Sequence, residues 1–342
     1  MTAQRVLTEE GIPAYVRGLG LATPDEPVAV AAGGDGNINW VRRVEVSGGR
    51  PRSFVLKQAR PALERFPQYA APTERLLFEA RWFELARAHD MHGICPHVLA
   101  LDEANRVLVL EDLSACERLD AALARGRDVT APMESLARFL ARVHAATAGD
   151  ATLPARFDNA AMRALHGEHI FVLPFGESDF GLSPRLRAAA QEVRADAALV
   201  GAAAAAHADY EAPRGALVHA DVQAGNVLLT PSGGAKLLDA EIAHVGDAAF
   251  DLGTLLAHLA LPSLARGESA SALLARVRDA YREAAACDDA TLARAQRHGG
   301  FELIRRTIGA ARVAAVADDE AGLRVLEAGR AWVAGAGSVE RR

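Results

Sequence analysis

The chain has 342 residues, half of them hydrophobic, and a formal net charge of −6. This length can bury a large core and predicts two domains or lobes. The acidic balance disfavours nucleic-acid binding, and no run approaches the roughly 20 apolar residues of a membrane span. No two of the three cysteines are at metal-ligand spacing, and MTAQRVLTEE has no secretory signal, so a reduced, cytoplasmic protein is expected.

The first 112 residues have the pattern of a small antiparallel sheet with one main helix. Thr73–His89 has apolar residues at helical spacing, which predicts an amphipathic helix capped by Thr73. A shorter helix is expected near residues 8–19. Apolar alternation broken by turn residues predicts five strands, near residues 28–31, 39–46, 53–58, 98–100 and 106–110.

A glycine cluster, AAGGDGNINW, follows the first predicted strand. Gly34, Asp35, Gly36 and Asn37 are candidates for phosphate contacts, because glycines let backbone amides approach an anion closely. By itself the cluster is equally compatible with an ordinary hairpin turn. No G-K-[ST] follows it, so a P-loop nucleotide fold is disfavoured.

Lys57 lies at the end of the apolar strand SFVLKQ, one strand beyond the glycine cluster. Kinase-like folds place there the lysine that contacts the α- and β-phosphates of the nucleotide, although a solvated lysine is the alternative. Glu74, Glu79 and Glu84 in the next helix could each pair with it. Glu79 is favoured, because it lies mid-helix among apolar neighbours, where an unpaired carboxylate would be costly.

The strand RVLVLEDLS ends where we place the boundary between two lobes, residues 1–112 and 113–342. Backbone N–H and C=O groups from Glu111 to Leu113 could form hydrogen bonds with a flat adenine at this point. The segment could also be a plain connector between the lobes. The two interpretations are compatible, because a hinge can both connect the lobes and contact an adenine.

The segment from Leu217 to Asp247 carries the strongest functional signal. An H-x-D-x-x-x-x-N pattern contains His219, Asp221 and Asn226, and Asp239 follows in the apolar run KLLDA. Kinase-like enzymes use this arrangement to supply a base and two magnesium ligands. We assign Asp221 as the group that orients the acceptor hydroxyl and takes its proton, and Asn226 and Asp239 as ligands of Mg²⁺. His219 is expected to be structural.

Three further groups of charged residues carry less specific signals, and two of these groups have two interpretations each. Glu241 could touch metal or substrate, or it could be a hydrogen-bonded loop acid. Asp251 is expected to cap the helix that it opens and to hold the preceding loop. Arg305 and Arg306 are adjacent on a predicted helix, and they either face solvent or bind a polar substrate if that helix borders the site.

Taken together, these motifs resemble the aminoglycoside phosphotransferase and choline kinase superfamily, and within it the methylthioribose kinases. GGDGNINWVRRV is similar to the family's G-D-G-N-L-N loop, HADVQAGNVLLT to its H-G-D-L-H-T-G-S-V, and ELIRRTIGAARV to its E-M-I-R-R segment. The resemblance implies a bilobal α+β fold like that of protein kinases, with ATP and Mg²⁺. It also implies transfer of the γ-phosphoryl group to a hydroxyl of a small-molecule substrate, a methylthioribose-like pentose, and it suggests a homodimer. In the family the arginine pair contacts the sugar, so Arg305 and Arg306 become expected substrate ligands.

Some positions depart from that family. Ala220 replaces a glycine, Gln223-Ala224 replaces His-Thr, and residues 244–247 replace F-Y-G-P. The last two changes lie near the expected acceptor. A phosphotransferase acting on an aminoglycoside, choline or another small metabolite therefore stays open, as does a nucleotide-binding homologue without catalysis. A structural module without a nucleotide site is a further alternative.

Overall fold

The computed structural model describes residues 4–33, 39–48, 52–61, 71–285 and 287–335. The chain forms two compact units, Met1–Ala88 with Cys95–Cys116, and His89–Ile94 with Glu117–Arg342. An antiparallel sheet dominates the first and helices dominate the second. The expected α+β class is confirmed, whereas a domain boundary at residue 112 stays a prediction.

The first unit is built on a five-stranded antiparallel sheet with the order β1-β2-β3-β5-β4. All five strands were predicted from the alternation of apolar residues. They are β1 (Val28–Ala32), β2 (Trp40–Val46), β3 (Ser53–Gln58), β4 (Val98–Asp102) and β5 (Val107–Glu111).

One face of this sheet forms the core of the first unit. Every second residue of a strand points to the same face, which brings pairs such as Phe54 and Leu56 of β3 into one apolar cluster. Val107 and Val109 of β5 join that cluster, and helix α1 (Ile12–Gly18) packs onto it.

The main helix of the first unit, α2, spans Arg75–Ala86. It buries Leu76, Ala80 and Phe83, as its apolar spacing predicted. The predicted Thr73 cap is wrong. Glu74 stands at the N-cap with helical backbone angles and makes no side-chain cap hydrogen bond, so Thr73 lies one residue too early.

The second unit is mostly helical. Its helices are α3 (Leu119–Ala124), α4 (Thr130–Thr147), α5 (Leu153–Arg156), α6 (Ala160–Gly167), α7 (Pro184–Ala195), α8 (Ala197–Glu211), α9 (Ala249–Arg266), α10 (Ser271–Ala285), α11 (Asp289–Ile308) and α12 (Asp319–Val333). Glycines let α11 approach its neighbours closely. A Cβ on Gly253 of α9 would lie 2.3 Å from the carbonyl oxygen of Ala295, and one on Gly300 would lie 2.7 Å from that of Gly329 in α12. Among the described helices, none combines the length and hydropathy needed to cross a bilayer.

Short strands frame the motif segment of the second unit. Strand β8 pairs with β9 as a hairpin, and β7 pairs with β10, both antiparallel, while β6 joins the outer side of β8. The loop that carries Asp221 runs from β7 to a 3₁₀ turn at Ala224–Asn226, immediately before β8. The strands are β6 (Glu117–Arg118), β7 (Ala216–Val218), β8 (Val227–Leu229), β9 (Ala235–Leu237) and β10 (His244–Gly246).

Candidate active site

In the first unit, Lys57 forms a buried ion pair. Its Nζ atom lies 2.8 Å from Oε2 of Glu79, and the two side chains are 6% and 0% exposed. Glu79 is the partner that the sequence favoured; Glu74 lies instead 3.1 Å from Arg106, and Glu84 is exposed. The pair fixes the lysine amine at the end of β3, because a buried charge that loses its partner costs about 3–5 kcal/mol.

The other nucleotide contacts predicted in the first unit are only partly described. Gly34, Asp35, Gly36 and Asn37 lie outside the described residues. The Glu111 amide donates to the His97 carbonyl at 2.9 Å, and the Leu113 carbonyl accepts from the Cys116 amide at 2.9 Å. The Glu111 amide and the Leu113 carbonyl are therefore engaged within the protein.

In the second unit, the carboxylate of Asp221 is held by two amide side chains at one of its oxygens. Gln223 Nε2 donates to Asp221 Oδ2 at 3.0 Å, and Asn226 Nδ2 donates to the same oxygen at 2.7 Å. Asn226 Nδ2 also reaches the backbone carbonyl of Asp221 at 3.0 Å. Asp221 and Asn226, predicted to work together, are thus in direct contact.

The environment of Asp221 shifts its ionisation. Burial in the surrounding protein raises the pKa of Asp221 to about 6, while the guanidinium groups of Arg306 and Arg305 oppose that rise. The carboxylate is therefore ionised at neutral pH but more basic than an ordinary aspartate. A base with a pKa near the working pH combines the correct ionisation state with a useful affinity for the proton.

Asp251 holds the loop that carries Asp221 through hydrogen bonds to the loop's backbone. Its carboxylate oxygens accept from the amides of His219 and Ala220, both at 2.8 Å, and His144 Nε2 lies 3.0 Å away. The predicted N-cap role is wrong, because α9 begins at Ala249 and Asp251 is its third residue. From the first turn, its buried carboxylate faces the loop and satisfies two amides that would otherwise be buried without partners.

Ala220 explains why such an anchor is needed. Its φ is 67°, in the left-handed region, where a residue with a Cβ costs roughly 1–2 kcal/mol and glycine is unstrained. Glycine stands at this position in the families that the motif resembles. The Asp251 hydrogen bonds offset the strain, and they hold the backbone of the residue next to Asp221.

The predicted magnesium ligands have donor chemistry that suits a hard cation. Because Asn226 Nδ2 is committed to Asp221, its oxygen Oδ1 is turned away from that residue. A carboxylate oxygen of Asp239 lies within 4.8 Å of one of Glu241, and two carboxylates at that separation repel unless a cation or proton lies near them. Carboxylate and amide oxygens are preferred ligands of Mg²⁺. These residues therefore fit the ion.

The adjacent arginines of α11 are buried, at 8% exposure for Arg305 and 6% for Arg306. The solvent-facing interpretation is therefore wrong. Glu302, on the same helix, accepts from Arg306 Nε at 2.6 Å and from Arg305 NH1 at 3.1 Å, and His258 Nε2 lies 3.0 Å away. Burial alone would raise the pKa of Glu302, but the two guanidinium groups hold that pKa well below its usual range.

The two arginines reach different neighbours beyond Glu302. Arg306 NH2 donates to Gln223 Oε1 at 2.8 Å, which connects it to the Asp221 loop. Arg305 NH1 lies 3.1 Å from His166 Nε2. Burial, followed by the charge of Arg305, lowers the pKa of His166 well below its usual value, so that imidazole is neutral.

Sequence reasoning missed several residues of this site. Glu302 precedes the arginines by three and four residues, a spacing that brings side chains together on a helix, so a signal for it existed. The roles of Gln223 and His144 had no comparable signal. They depend on contacts with residues 83 and 107 positions away.

A family model described as the phosphotransferase enzyme family matches residues 33–295. The chain belongs to this family. It is 28% identical over 250 residues to a methylthioribose kinase of Bacillus cereus (strain ATCC 10987 / NRS 248), covering 70% of this chain and 62% of that protein. The chain thus spans less than two thirds of the length of that relative.

Two solved structures are similar in fold. Choline kinase LicA from Streptococcus pneumoniae matches with a TM-score of 0.53 and 13% identity, covering 95% of this chain and 98% of that one. An aminoglycoside phosphotransferase from Alicyclobacillus acidocaldarius matches with a TM-score of 0.52 and 16% identity, covering 97% and 94%. At these identities the likeness establishes the kinase-like fold and nothing finer.

Proposed function

We propose that the protein is a small-molecule kinase that transfers the γ-phosphoryl group of ATP, with Mg²⁺, to a hydroxyl of a methylthioribose-like pentose. The observation that carries this proposal is the geometry at Asp221. Asp221, with a pKa of about 6, has one carboxylate oxygen fixed by the side-chain amide of Asn226. The Oδ1 atom of Asn226 is turned away from Asp221 and is a suitable ligand for a metal ion. Membership of the phosphotransferase family and the likeness to methylthioribose kinases support it.

The nucleotide would be bound by residues of the first unit. Lys57, oriented by Glu79, would contact the α- and β-phosphates, and Gly34 to Asn37 would cover them with backbone amides. Backbone groups of the segment from Glu111 to Leu113 would contact the adenine. A related solved structure is of LicA in complex with AMP, which supports a nucleotide as the ligand here.

The residues of the second unit would act on the acceptor. Phosphoryl transfer leaves a protein little covalent chemistry, so catalysis depends on positioning and on charge stabilisation. Asp221 would orient the acceptor hydroxyl and take its proton as the hydroxyl oxygen bonds to the γ-phosphorus. The bond between that phosphorus and the bridging oxygen of the β-phosphate would break, and ADP would leave. Mg²⁺, held by Asn226 and Asp239, would supply neutralisation of the phosphate charge.

The charges around the acceptor favour a neutral polyhydroxyl compound. Two buried guanidinium groups, Arg305 and Arg306, influence Asp221, and among the described residues Glu302 is the one acid that forms an ion pair with them. Positive groups there would repel a polycationic aminoglycoside or a choline head group. We therefore assign Arg305, Arg306 and Glu241 to binding of a sugar. A cytoplasmic location and a homodimer accompany this proposal as predictions.

An acceptor screen tests the proposal. Purified protein is incubated with Mg²⁺ and ATP and with one of methylthioribose, ribose, choline or an aminoglycoside, and nucleotide consumption is measured. We expect methylthioribose to give a kcat/KM at least about tenfold above every cationic acceptor, a difference of about 1.4 kcal/mol. We also expect that a chelator stops the reaction.

The control is the same screen with Asp221→Asn, which should show no acceptor-dependent consumption. Consumption with choline or an aminoglycoside alone would contradict the sugar assignment. Binding of Mg²⁺–ATP without turnover on any acceptor would instead identify a nucleotide-binding homologue without catalysis.

A further inference from the structure

Gln223 links a buried cation to the proposed base. Its Oε1 accepts from Arg306 NH2 at 2.8 Å, and its Nε2 donates to Asp221 Oδ2 at 3.0 Å. The residue stands at the entry to the 3₁₀ turn Ala224–Asn226, where its own backbone carbonyl accepts from the Asn226 amide at 3.0 Å. Both ends of one side-chain amide are therefore engaged, one with a cation and one with an anion.

The orientation of this amide is dictated by its neighbours. Arginine has only donors, so the Gln223 atom that faces Arg306 must be the carbonyl oxygen. The amino group is then turned to Asp221, whose ionised carboxylate only accepts. Glutamine can bridge a donor and an acceptor in this way without adding a charge, whereas glutamate would repel Asp221.

Arg306 is itself held rigidly. Its Nε donates to Glu302 at 2.6 Å and its NH1 to the Ala311 carbonyl at 3.4 Å, so each of its three nitrogens has a protein partner. Glu302 is fixed in turn by Arg305 and His258. The bridge to Asp221 thus begins from a buried ionic cluster centred on Glu302 of α11.

The bridge also distinguishes the two oxygens of Asp221. Gln223 and Asn226 both donate to Oδ2. Oδ1 accepts no hydrogen bond from the residues that the structure describes, and it is the oxygen left for a substrate proton.

We propose that Gln223 is a positioning residue, which Arg306 orients and which holds Oδ2 of Asp221 so that Oδ1 takes the proton of the acceptor hydroxyl. This inference rests on the proposed function, since it assumes that Asp221 is the base. It gives Arg306 a second role, which acts through Gln223, in addition to the sugar contact proposed above.

Two substitutions separate positioning from structural support. Gln223→Glu keeps an oxygen for Arg306 but turns a second oxygen, with its charge, toward Asp221. Gln223→Leu removes both contacts at similar size. We expect both to lower kcat by about 10- to 100-fold, as small misplacements of a catalytic group do, with the KM for ATP changed less than about twofold. The matched control is Gln191→Glu, the same chemical change at an exposed position on α7, and it should leave kcat unchanged.

If Gln223 merely supports the fold through Arg306, Gln223→Glu keeps the wild-type kcat and only Gln223→Leu loses activity, together with thermal stability. That result would overturn the inference while leaving the proposed function intact.

A second measurement does not depend on turnover. Solvent exchange of the Gln223 side-chain amide protons is followed by NMR in the full-length protein without substrate. We expect exchange slowed at least about tenfold relative to Gln191, with Arg306→Lys removing most of that protection, because a proton held in a hydrogen bond exchanges only when the bond opens. Exchange as fast as that of Gln191 would overturn the bridge. Protection in a protein that phosphorylates no acceptor would support the bridge and reject the proposed function.

Discussion

Asp221→Asn is expected to slow phosphoryl transfer severely. Asparagine has the same shape and can still accept from Gln223 and Asn226, but it cannot take a proton from the acceptor. Loss of a general base lowers the rate by about 10²- to 10⁴-fold, so kcat should fall by that amount while ATP still binds. Turnover with the preferred acceptor at the wild-type rate would contradict the assignment of Asp221 as the base.

The same substitution should stabilise the protein above pH 6. In the folded state the pKa of Asp221 is raised from 3.8 to about 6, so ionisation favours the unfolded chain. That penalty develops as the pH rises from about 4 to 6 and is constant above. One pKa unit corresponds to about 1.4 kcal/mol, and partial exposure of the Asp221 side chain weakens the effect. We therefore expect Asp221→Asn to raise the free energy of unfolding by about 1–2 kcal/mol at pH 7.5.

Urea denaturation in the absence of nucleotide measures this gain at pH 7.5 and at pH 5, where it should be smaller. The control is Asp209→Asn, an exposed aspartate paired with Arg214 at 2.6 Å, which should change stability by less than about 1 kcal/mol at either pH. If Asp221→Asn is no more stable than the wild type at pH 7.5, the Asp221 carboxylate does not destabilise the folded protein.

Glu302→Gln is expected to cause the largest loss of stability. Glu302 is 2% exposed and compensates Arg305 and Arg306. Glutamine fills the same space but leaves two buried guanidinium groups without their anion. Breaking a buried ionic cluster from one side costs about 3–5 kcal/mol, measured as the free energy of unfolding in urea at pH 7.5.

The comparison for Glu302 is Glu320→Gln on α12. Glu320 pairs with Arg185 at 2.5 Å, with both side chains more than half exposed at 57% and 56%. Exposed pairs contribute about 0–1 kcal/mol, so this variant should be nearly neutral. Equal losses at the two glutamates would contradict the view that burial makes Glu302 important.

Local patterns predicted the parts of the protein that depend on neighbours in sequence. The five strands of the first unit follow from alternation along each strand, and the choice of Glu79 for Lys57 followed from its apolar surroundings on one helix. Both features are set by a periodicity that can be counted in the chain.

What the sequence did not predict is set by long-range contacts. Asp251 was expected to cap its helix, because an acid near a helix start most often does. Its buried position on the first turn, beside His144 of α4, instead directs it to the loop. Gln223 was treated as a departure from a family motif, and its role emerges only when α11 brings Arg306 to it.

We propose that Lys57, Asn226 and Asp239 bind one magnesium–nucleotide complex. A crystal structure of the protein with Mg²⁺ and a non-hydrolysable ATP analogue tests it most directly. We predict Lys57 Nζ at about 2.9 Å from a phosphate oxygen, and Asn226 Oδ1 and an Asp239 oxygen at about 2.1 Å from the ion. Phosphates bound away from Lys57, or a metal held by neither Asn226 nor Asp239, would contradict the account.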